Sequence, residues 1–277
     1  MPNPVMRVYF LLCLLIFTST TYAQVASTTP PAQTGPPFIY HRDYKVILEK
    51  ALDRGSELYY HKLIIRFLNN DSSLTNAETL ALLIGFTENP QYKPVDLMEK
   101  ELEIYDQSKA NEFQEVVNLA RPYLQKNPVS MLALREIAIA YNRLGNKDSS
   151  RYFASLNDRI MEAMIYSSKG KKPLEPIFAL GLADGEYFVQ NVGFYMDKKN
   201  TEWNKQGDFM EVIDTYNDQD VKTTFYFAIQ HAKLKMDDDQ PDAMDQKRDK
   251  KAKKKEKEKE SKKKKQAAAT TAPPAGN

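Results

Sequence analysis

The chain has 277 residues, of which 42% are hydrophobic and 27% charged, and its formal net charge at neutral pH is +2. A hydrophobic share of this size is typical of a globular protein with its own core. The single cysteine, Cys13, excludes a disulfide within the chain and any zinc site made of several cysteines.

The first 23 residues have the pattern of a cleaved export signal. Arg7 supplies the positive charge, residues 8–17 form an apolar run, and Ala23 is the small residue that precedes cleavage. A retained membrane anchor is the alternative, but this run is about half of the roughly 20 residues that a spanning helix needs. A lipoprotein is a second alternative, but Cys13 lies in the middle of the apolar run. We therefore expect cleavage after Ala23, which leaves a mature chain without cysteine outside the cytoplasm.

Residues 24–37 are rich in Ser, Thr and Pro and are predicted to form an extended linker. Residues 38–168 then show apolar positions at helical spacing. Two short helices are predicted on either side of Gly55, and a third begins at a capping box formed by Thr75 and Glu78.

Four further amphipathic helices follow, and short connections join them. Their apolar stripes begin at Val95, Phe113, Leu134 and Tyr152, and the first stripe continues through Met98, Leu102 and Tyr105. The succession resembles a degenerate array of about two tetratricopeptide repeats, which are stacked helical hairpins.

Residues 173–236 have a different periodicity. Residues 177–183 are a short apolar run, residues 186–194 are predicted to be a helix, and two β-branched and aromatic runs cover residues 209–216 and 223–230. The Asn/Asp-rich segment 217–220 between these two runs predicts a turn. The expected fold is therefore α+β, with tetratricopeptide-like helical hairpins followed by a small antiparallel sheet or hairpin that packs on them.

Residues 237–277 are predicted to be a disordered, lysine-rich tail with 13 Lys or Arg residues against nine Asp or Glu residues. Such a tail is either a solubilising spacer or a contact to an anionic surface, and nucleic acid is the less favoured partner of an exported chain. The candidate anion-binding residues are Lys250, Lys251, Lys253, Lys254, Lys255, Lys262, Lys263, Lys264 and Lys265.

Scattered positions in the first part of the chain resemble a bacterial family that is catalogued as domain of unknown function 4919. They are Tyr59, Tyr60, Leu63, Arg66, Phe67, Asp71, Leu74, Thr75, Glu78, Leu82, Gly85, Phe86, Tyr92 and Pro94, and later Asp184, Gly185, Glu186, Tyr187, Thr224, Phe225, Tyr226 and Phe227. The resemblance implies an exported protein of a Gram-negative bacterium, located in the periplasm or at the cell surface. It assigns no catalytic residues, so none are carried over to this chain.

No catalytic motif or metal-binding motif is found in the sequence. His41, His61 and His231 are isolated, and the acidic neighbours Glu101 and Glu103 are predicted to lie on a solvated helix face. The sixteen tyrosines and the single tryptophan, Trp203, are candidates for binding a ligand. Many of the tyrosines fall on apolar stripes, however, which predicts that they pack in the core.

We therefore expect a protein without catalytic activity, cofactor or metal, which binds another envelope protein, a peptide or another envelope component. The alternative is a hydrolase of the cell envelope or of polysaccharide. A hydrolase requires a deep pocket that holds clustered carboxylates or histidines, whereas a binding protein does not. A structural subunit of an envelope assembly is a third possibility.

Overall fold

The computed structural model describes residues 37–239. The predicted export signal, the predicted linker up to residue 36 and the tail from residue 240 onward lie outside the described residues. Within residues 37–239 the chain forms nine helices and four strands, and most of the helices precede the sheet. The predicted α+β class is therefore confirmed.

The helices match the predicted stripes in number and order up to residue 168. They are α1 (Tyr40–Leu52), α2 (Tyr60–Leu68), α3 (Asn76–Phe86), α4 (Pro94–Lys109), α5 (Phe113–Lys126), α6 (Met131–Arg143), α7 (Lys147–Ser167), α8 (Asp184–Asn191) and α9 (Gln230–Asp239). The last helix ends three residues inside the segment that the sequence assigns to the tail. None of these helices combines the length and the apolar character that crossing a bilayer requires.

Helix α3 is the most enclosed helix, because residues 79–86 are all buried. Its start is fixed by the predicted capping box. The Thr75 hydroxyl accepts a hydrogen bond from the N–H of Glu78 at 3.2 Å, and the Glu78 carboxylate accepts one from the N–H of Thr75 at 2.8 Å. These two bonds satisfy amide groups that a helix start otherwise leaves unpaired.

We expect the Thr75→Ala variant to lose about 1 kcal/mol of unfolding free energy, because the first turn of α3 loses its acceptor. Urea unfolding followed by circular dichroism measures this loss. Thr75→Ser keeps the hydroxyl and serves as the control, which should restore most of the stability. Equal stability of Thr75→Ala and the parent chain would show that the cap contributes nothing.

Helices α4 to α7 contact one another in chain order, as helical hairpins do, and α7 also packs against α3. The stripes predicted for α5, α6 and α7 face the core except at Leu144, which is 46% exposed, and the stripe predicted for α4 is wrong at Leu102. Leu102 is 45% exposed, whereas Pro94, Glu101 and Ile104 are the buried positions of α4. The likeness of these hairpins to tetratricopeptide repeats stays a prediction.

The four strands form one sheet in the order β1-β4-β3-β2. They are β1 (Ile177–Phe178), β2 (Tyr195–Trp203), β3 (Phe209–Tyr216) and β4 (Lys222–Ala228). The hairpin of β3 and β4 has the predicted antiparallel pairing, with Ile213 opposite Phe225. Strand β1 instead pairs with β4 in parallel, so the predicted antiparallel sheet or hairpin is corrected to a mixed sheet. The chain between β1 and β4, which includes α8, supplies the long crossover that parallel pairing requires.

Helix α8 lies against the sheet face that carries Glu211, Ile213 and Phe227, because these side chains surround Gly185. The segment between β1 and α8 in turn reaches the connection between α3 and α4, where the Tyr92 hydroxyl donates a 2.7 Å hydrogen bond to the carbonyl oxygen of Leu180. This segment therefore connects the helical part of the core to the sheet.

Candidate functional site

A buried carboxyl group, that of Glu101 on α4, accepts two side-chain hydrogen bonds in the core. Ser130 Oγ lies 2.6 Å and the Tyr123 hydroxyl 3.0 Å from Glu101 Oε1. Ser130 also caps α6, because its Oγ accepts a hydrogen bond from the N–H of Ala133 at 3.2 Å. Only 5% of Glu101 is exposed, so the prediction that it lies on a solvated helix face is wrong for Glu101.

A second buried carboxyl group, that of Asp184, belongs to the first residue of α8. Its Oδ2 accepts a 2.7 Å hydrogen bond from the N–H of Gly181, and the residue is 5% exposed. This bond closes the loop between β1 and α8 and holds the carboxylate at the start of the helix, where negative charge is favoured.

The two carboxyl groups line one small cavity, which we call the acid cavity. Its volume is about 20 Å³, room for roughly one water molecule. The other lining residues are Phe86, Tyr92, Pro94, Leu97, Tyr123, Asn127, Val129, Ser130, Leu180 and Gly181. The acid cavity thus combines residues from both halves of the described chain.

Burial dominates the electrostatics of the acid cavity, since removing a carboxylate from water disfavours its charged form. It raises the pKa of Glu101 to about 7, and the neighbouring Asp184 adds to the rise, while the hydrogen bonds from Ser130 and Tyr123 oppose it. Burial also raises the pKa of Asp184, although backbone N–H groups lower it in part. Both carboxyl groups therefore hold a proton more readily than they would in water.

A third buried carboxyl group, that of Glu211 on β3, lies on the sheet face beneath α8. Its Oε1 is 3.4 Å from Lys199 Nζ, and Lys199 also pairs with Glu186. Burial raises the pKa of Glu211 to about 7, against the lowering effect of Lys199. Glu211 Oε2 has no hydrogen-bond partner within the described part of the chain.

The one buried histidine of residues 37–239, His231 on α9, lies in an aromatic cluster. Its ring stacks on Phe178 and Tyr44, with ring centroids 4.9 and 5.5 Å apart, and its Nδ1 is 3.2 Å from the Tyr40 hydroxyl. Burial lowers the pKa of His231 to about 4. Hence His231 is neutral in the fold at neutral pH, and it lies outside the acid cavity.

Within the described residues, the other side chains that the sequence singled out do not line the acid cavity. The nine candidate anion-binding lysines, from Lys250 to Lys265, lie outside the described residues. Glu103 is exposed, His61 is exposed, and His41 pairs with Asp208 at 3.0 Å. Five tyrosines on the predicted stripes pack on the core as expected, namely Tyr44, Tyr60, Tyr105, Tyr141 and Tyr152.

Trp203 differs from these tyrosines, because 57% of it is exposed at the end of β2. Every residue of β2 is exposed, and the strand forms one edge of the sheet. Tyr195 and Met196 at the other end of β2 are also exposed, at 51% and 40%. The edge strand is thus a second candidate site, and its lack of buried apolar residues explains why the sequence pattern did not predict it.

The fold and these sites define an α+β protein in which helical hairpins precede a small mixed sheet. The chain belongs to the family described as domain of unknown function (DUF4919), whose model matches residues 45–239. The family resemblance found in the sequence is therefore confirmed. No curated protein and no solved structure matches the chain.

Proposed function

We propose that the chain is an exported protein-binding module, and that it binds an extended segment of a partner protein along β2. The observation that carries this proposal is that all nine residues of β2 are exposed at the edge of the sheet. An edge strand presents unpaired N–H and C=O groups, which are the groups that an added strand uses.

The side chains of β2 supply the anchors that such an interface needs. Trp203, Tyr195 and Met196 expose large apolar groups at the two ends of the strand, and buried aromatic residues contribute most to binding free energy. The charged residues Lys198 and Glu202 lie between them, and charges on an edge strand disfavour unselective pairing. This arrangement supports one selected partner rather than self-aggregation.

The helical hairpins offer less to a partner. Leu102, Leu144 and Ile165 are the large apolar side chains of α4 to α7 and their connections that are exposed, and isolated exposures of this kind are ordinary on a protein surface. We therefore place binding on β2 and not on the surface of α4 to α7.

The proposal of export has its support in the sequence alone. Arg7, the apolar run of residues 8–17 and Ala23 match a signal peptide. The mature chain then acts in the periplasm or at the cell surface, where an envelope protein is the available partner.

A hydrolase is not the proposed function, because the acid cavity does not fit its substrate. A glycosidase places a sugar between its two carboxyl groups, whereas the cavity of Glu101 and Asp184 has room for roughly one water molecule.

Photocrosslinking tests the proposal. A benzophenone amino acid is placed at Asn200 on β2, or at Lys126 on α5 as the control, in the mature chain exposed to its native envelope. We expect an adduct from Asn200 and none from Lys126, with the crosslink on a short segment of one partner protein. The amides of β2 should then exchange hydrogen more slowly in the purified complex.

Trp203→Ala should reduce this adduct about tenfold, which is the effect of losing about 1.4 kcal/mol of binding free energy. Leu144→Ala is the matched control, since it removes an exposed apolar side chain far from β2 in sequence. Equal adducts from Asn200 and Lys126 would contradict the proposal. So would loss of the adduct on removal of residues 240–277 or in high salt, which would assign binding to the lysine-rich tail.

A further inference from the structure

The hydrogen-bond ladder between β2 and β3 determines which backbone groups of β2 point away from the sheet. Where the two strands meet their connecting turn, the N–H of Asn204 donates a 2.9 Å hydrogen bond to the carbonyl oxygen of Asp208. Bonded pairs alternate with non-bonded pairs along an antiparallel ladder, so the even-numbered residues from 198 to 202 bond to β3. The outward-facing N–H and C=O groups are those of Lys199, Thr201 and Trp203.

The side chains of β2 carry a charge pattern that is complementary to its own reverse. Lys198 and Glu202 lie two residues before and two residues after Asn200, and all three side chains are exposed on the same face of the strand. Lys198 and Glu202 form no ion pair within the described part of the chain. Asp214 lies opposite Lys198 in the ladder, but its Oδ1 accepts a hydrogen bond from Thr224. Both charges of the pattern are therefore available to a partner.

We propose that the occupant of the β2 edge is β2 of a second copy of this chain, paired antiparallel about a two-fold axis at Asn200. This inference rests on the proposed binding site at β2 and names its partner. Lys198 of each copy then lies opposite Glu202 of the other, and the axis relates the two pairs. The outward N–H and C=O groups of Lys199 and Thr201 bond across the same interface. The backbone bonds supply the affinity, and the charges fix the register.

The charges distinguish this register from its two neighbours. The outward-facing backbone groups must meet one another, so the two-fold axis moves along β2 in steps of one residue. An axis at Lys199 places the two Lys199 side chains directly opposite each other, which is unfavourable. An axis at Thr201 places Glu202 opposite Asn200 and leaves its charge unmatched. The β-bulge that precedes Lys198 interrupts the strand, and the register centred on Asn200 begins its regular pairs directly after this bulge.

A two-fold pair of this kind closes the edge instead of extending it. Each β2 gains a partner on its open side, and the two four-stranded sheets join into one. No open β2 edge then remains for a third copy, which separates this pairing from the aggregation that an open edge invites. The two Lys199 side chains approach diagonally across the axis, but Glu186 and Glu211 already match the charge of each. Lys199 therefore does not oppose the pairing.

Sedimentation equilibrium of the mature chain tests the proposal. We expect a reversible monomer–dimer equilibrium with a dissociation constant of about 10–100 μM, because two short strands bury little surface. Lys198→Glu and Glu202→Lys each turn both cross-strand pairs into like-charge pairs, and each should raise this constant at least about tenfold. Lys126→Glu makes the same change of charge as Lys198→Glu at an exposed position of α5. It is the matched control and should dimerise as the parent does.

Mixing the two charge variants separates a loss of pairing from a loss of folding. In a mixed pair, residues 198 and 202 are both acidic in one copy and both basic in the other, so opposite charges again meet at both cross-strand pairs. An equimolar mixture of Lys198→Glu and Glu202→Lys should therefore dimerise about as tightly as the parent, and far more tightly than either variant alone at the same total concentration.

A parent chain that stays monomeric at about 1 mM would overturn the proposal. Dimers that neither charge variant weakens, or that mixing fails to restore, would do the same. The photocrosslink at Asn200 keeps such a failure distinct from failure of the proposed function. If the parent is monomeric but Asn200 crosslinks to a different envelope protein, the binding site on β2 stands and its occupant is not a second copy. Absence of both the dimer and the adduct would overturn both proposals.

Discussion

The Gly185→Ala variant should lose about 3 kcal/mol of unfolding free energy, since it overfills the contact between α8 and the sheet. A Cβ atom at position 185 would overlap Glu211 Oε2, and it would lie 3.1 Å from both Ile213 Cδ1 and Phe227 Cδ2. Neither neighbour has an easy escape, because Ile213 and Phe227 are fully buried. The Glu211 carboxylate must therefore move away, and Ile213 and Phe227 must give way by a few tenths of an ångström.

Urea unfolding measures this loss, and two comparisons identify its cause. Gly55→Ala is the matched control, because a Cβ there meets only Asp53 at an ordinary 3.4 Å; we expect a change within about 0.5 kcal/mol. In a Glu211→Ala background the Gly185→Ala substitution should cost clearly less, since the closest atom is gone. An equal cost in both backgrounds would show that Glu211 is not the obstacle.

The sequence predicts those elements whose buried faces leave a periodic pattern. Strand β3 covers the predicted residues 209–216, and α8 lies within the predicted residues 186–194 except for its first two residues. Strand β2 was missed because an exposed edge strand needs no apolar alternation. Helix α9 was missed because the residues 237–239 at its end are all aspartates, which are typical of a solvated segment.

The acid cavity could not be predicted from local sequence patterns. Glu101 occurs in the helical stripe Pro94, Leu97 and Ile104, but the more apolar neighbouring stripe with Leu102 was the one predicted to be buried. Placing Glu101 beside Asp184 requires the tertiary fold, because the two residues are far apart in the chain and no local spacing relates them. The Asp-Gly-Glu-Tyr segment that begins at Asp184 contributes to the family resemblance, but no local pattern in it predicts a buried carboxyl group.

The parent chain should lose stability through His231 when the pH falls from 7 toward 4. Burial among Tyr40, Tyr44, Tyr92 and Phe178 lowers the pKa of His231 to about 4 from 6.5. The unfolded chain therefore binds a proton at a pH where the folded chain does not, so acidification favours unfolding. Above pH 6.5 His231 causes no loss of unfolding free energy. At pH 5 the loss is about 2 kcal/mol, and at pH 4 it is about 3 kcal/mol.

The carboxyl groups act in the opposite direction, which makes a difference measurement necessary. Burial raises the pKa values of Glu101, Asp184 and Glu211, so these groups favour the folded state below their unfolded pKa and destabilise it as the pH rises. The His231→Phe variant keeps the three carboxyl groups and fills the aromatic cluster with a ring that does not titrate. Subtracting its pH profile from that of the parent isolates His231.

Urea unfolding of both proteins from pH 7.5 to pH 4.5 gives the two profiles. We expect the stability of the parent relative to His231→Phe to decline steadily below pH 6.5, whatever the offset between them at pH 7.5. His61→Gln is the control, because it removes an exposed histidine on α2 and should leave the profile of the parent unchanged. Parallel profiles for the parent and His231→Phe would contradict this prediction, because they would mean that water reaches the His231 ring. The contact between His231 on α9 and Tyr40 on α1 would then be too loose to exclude water.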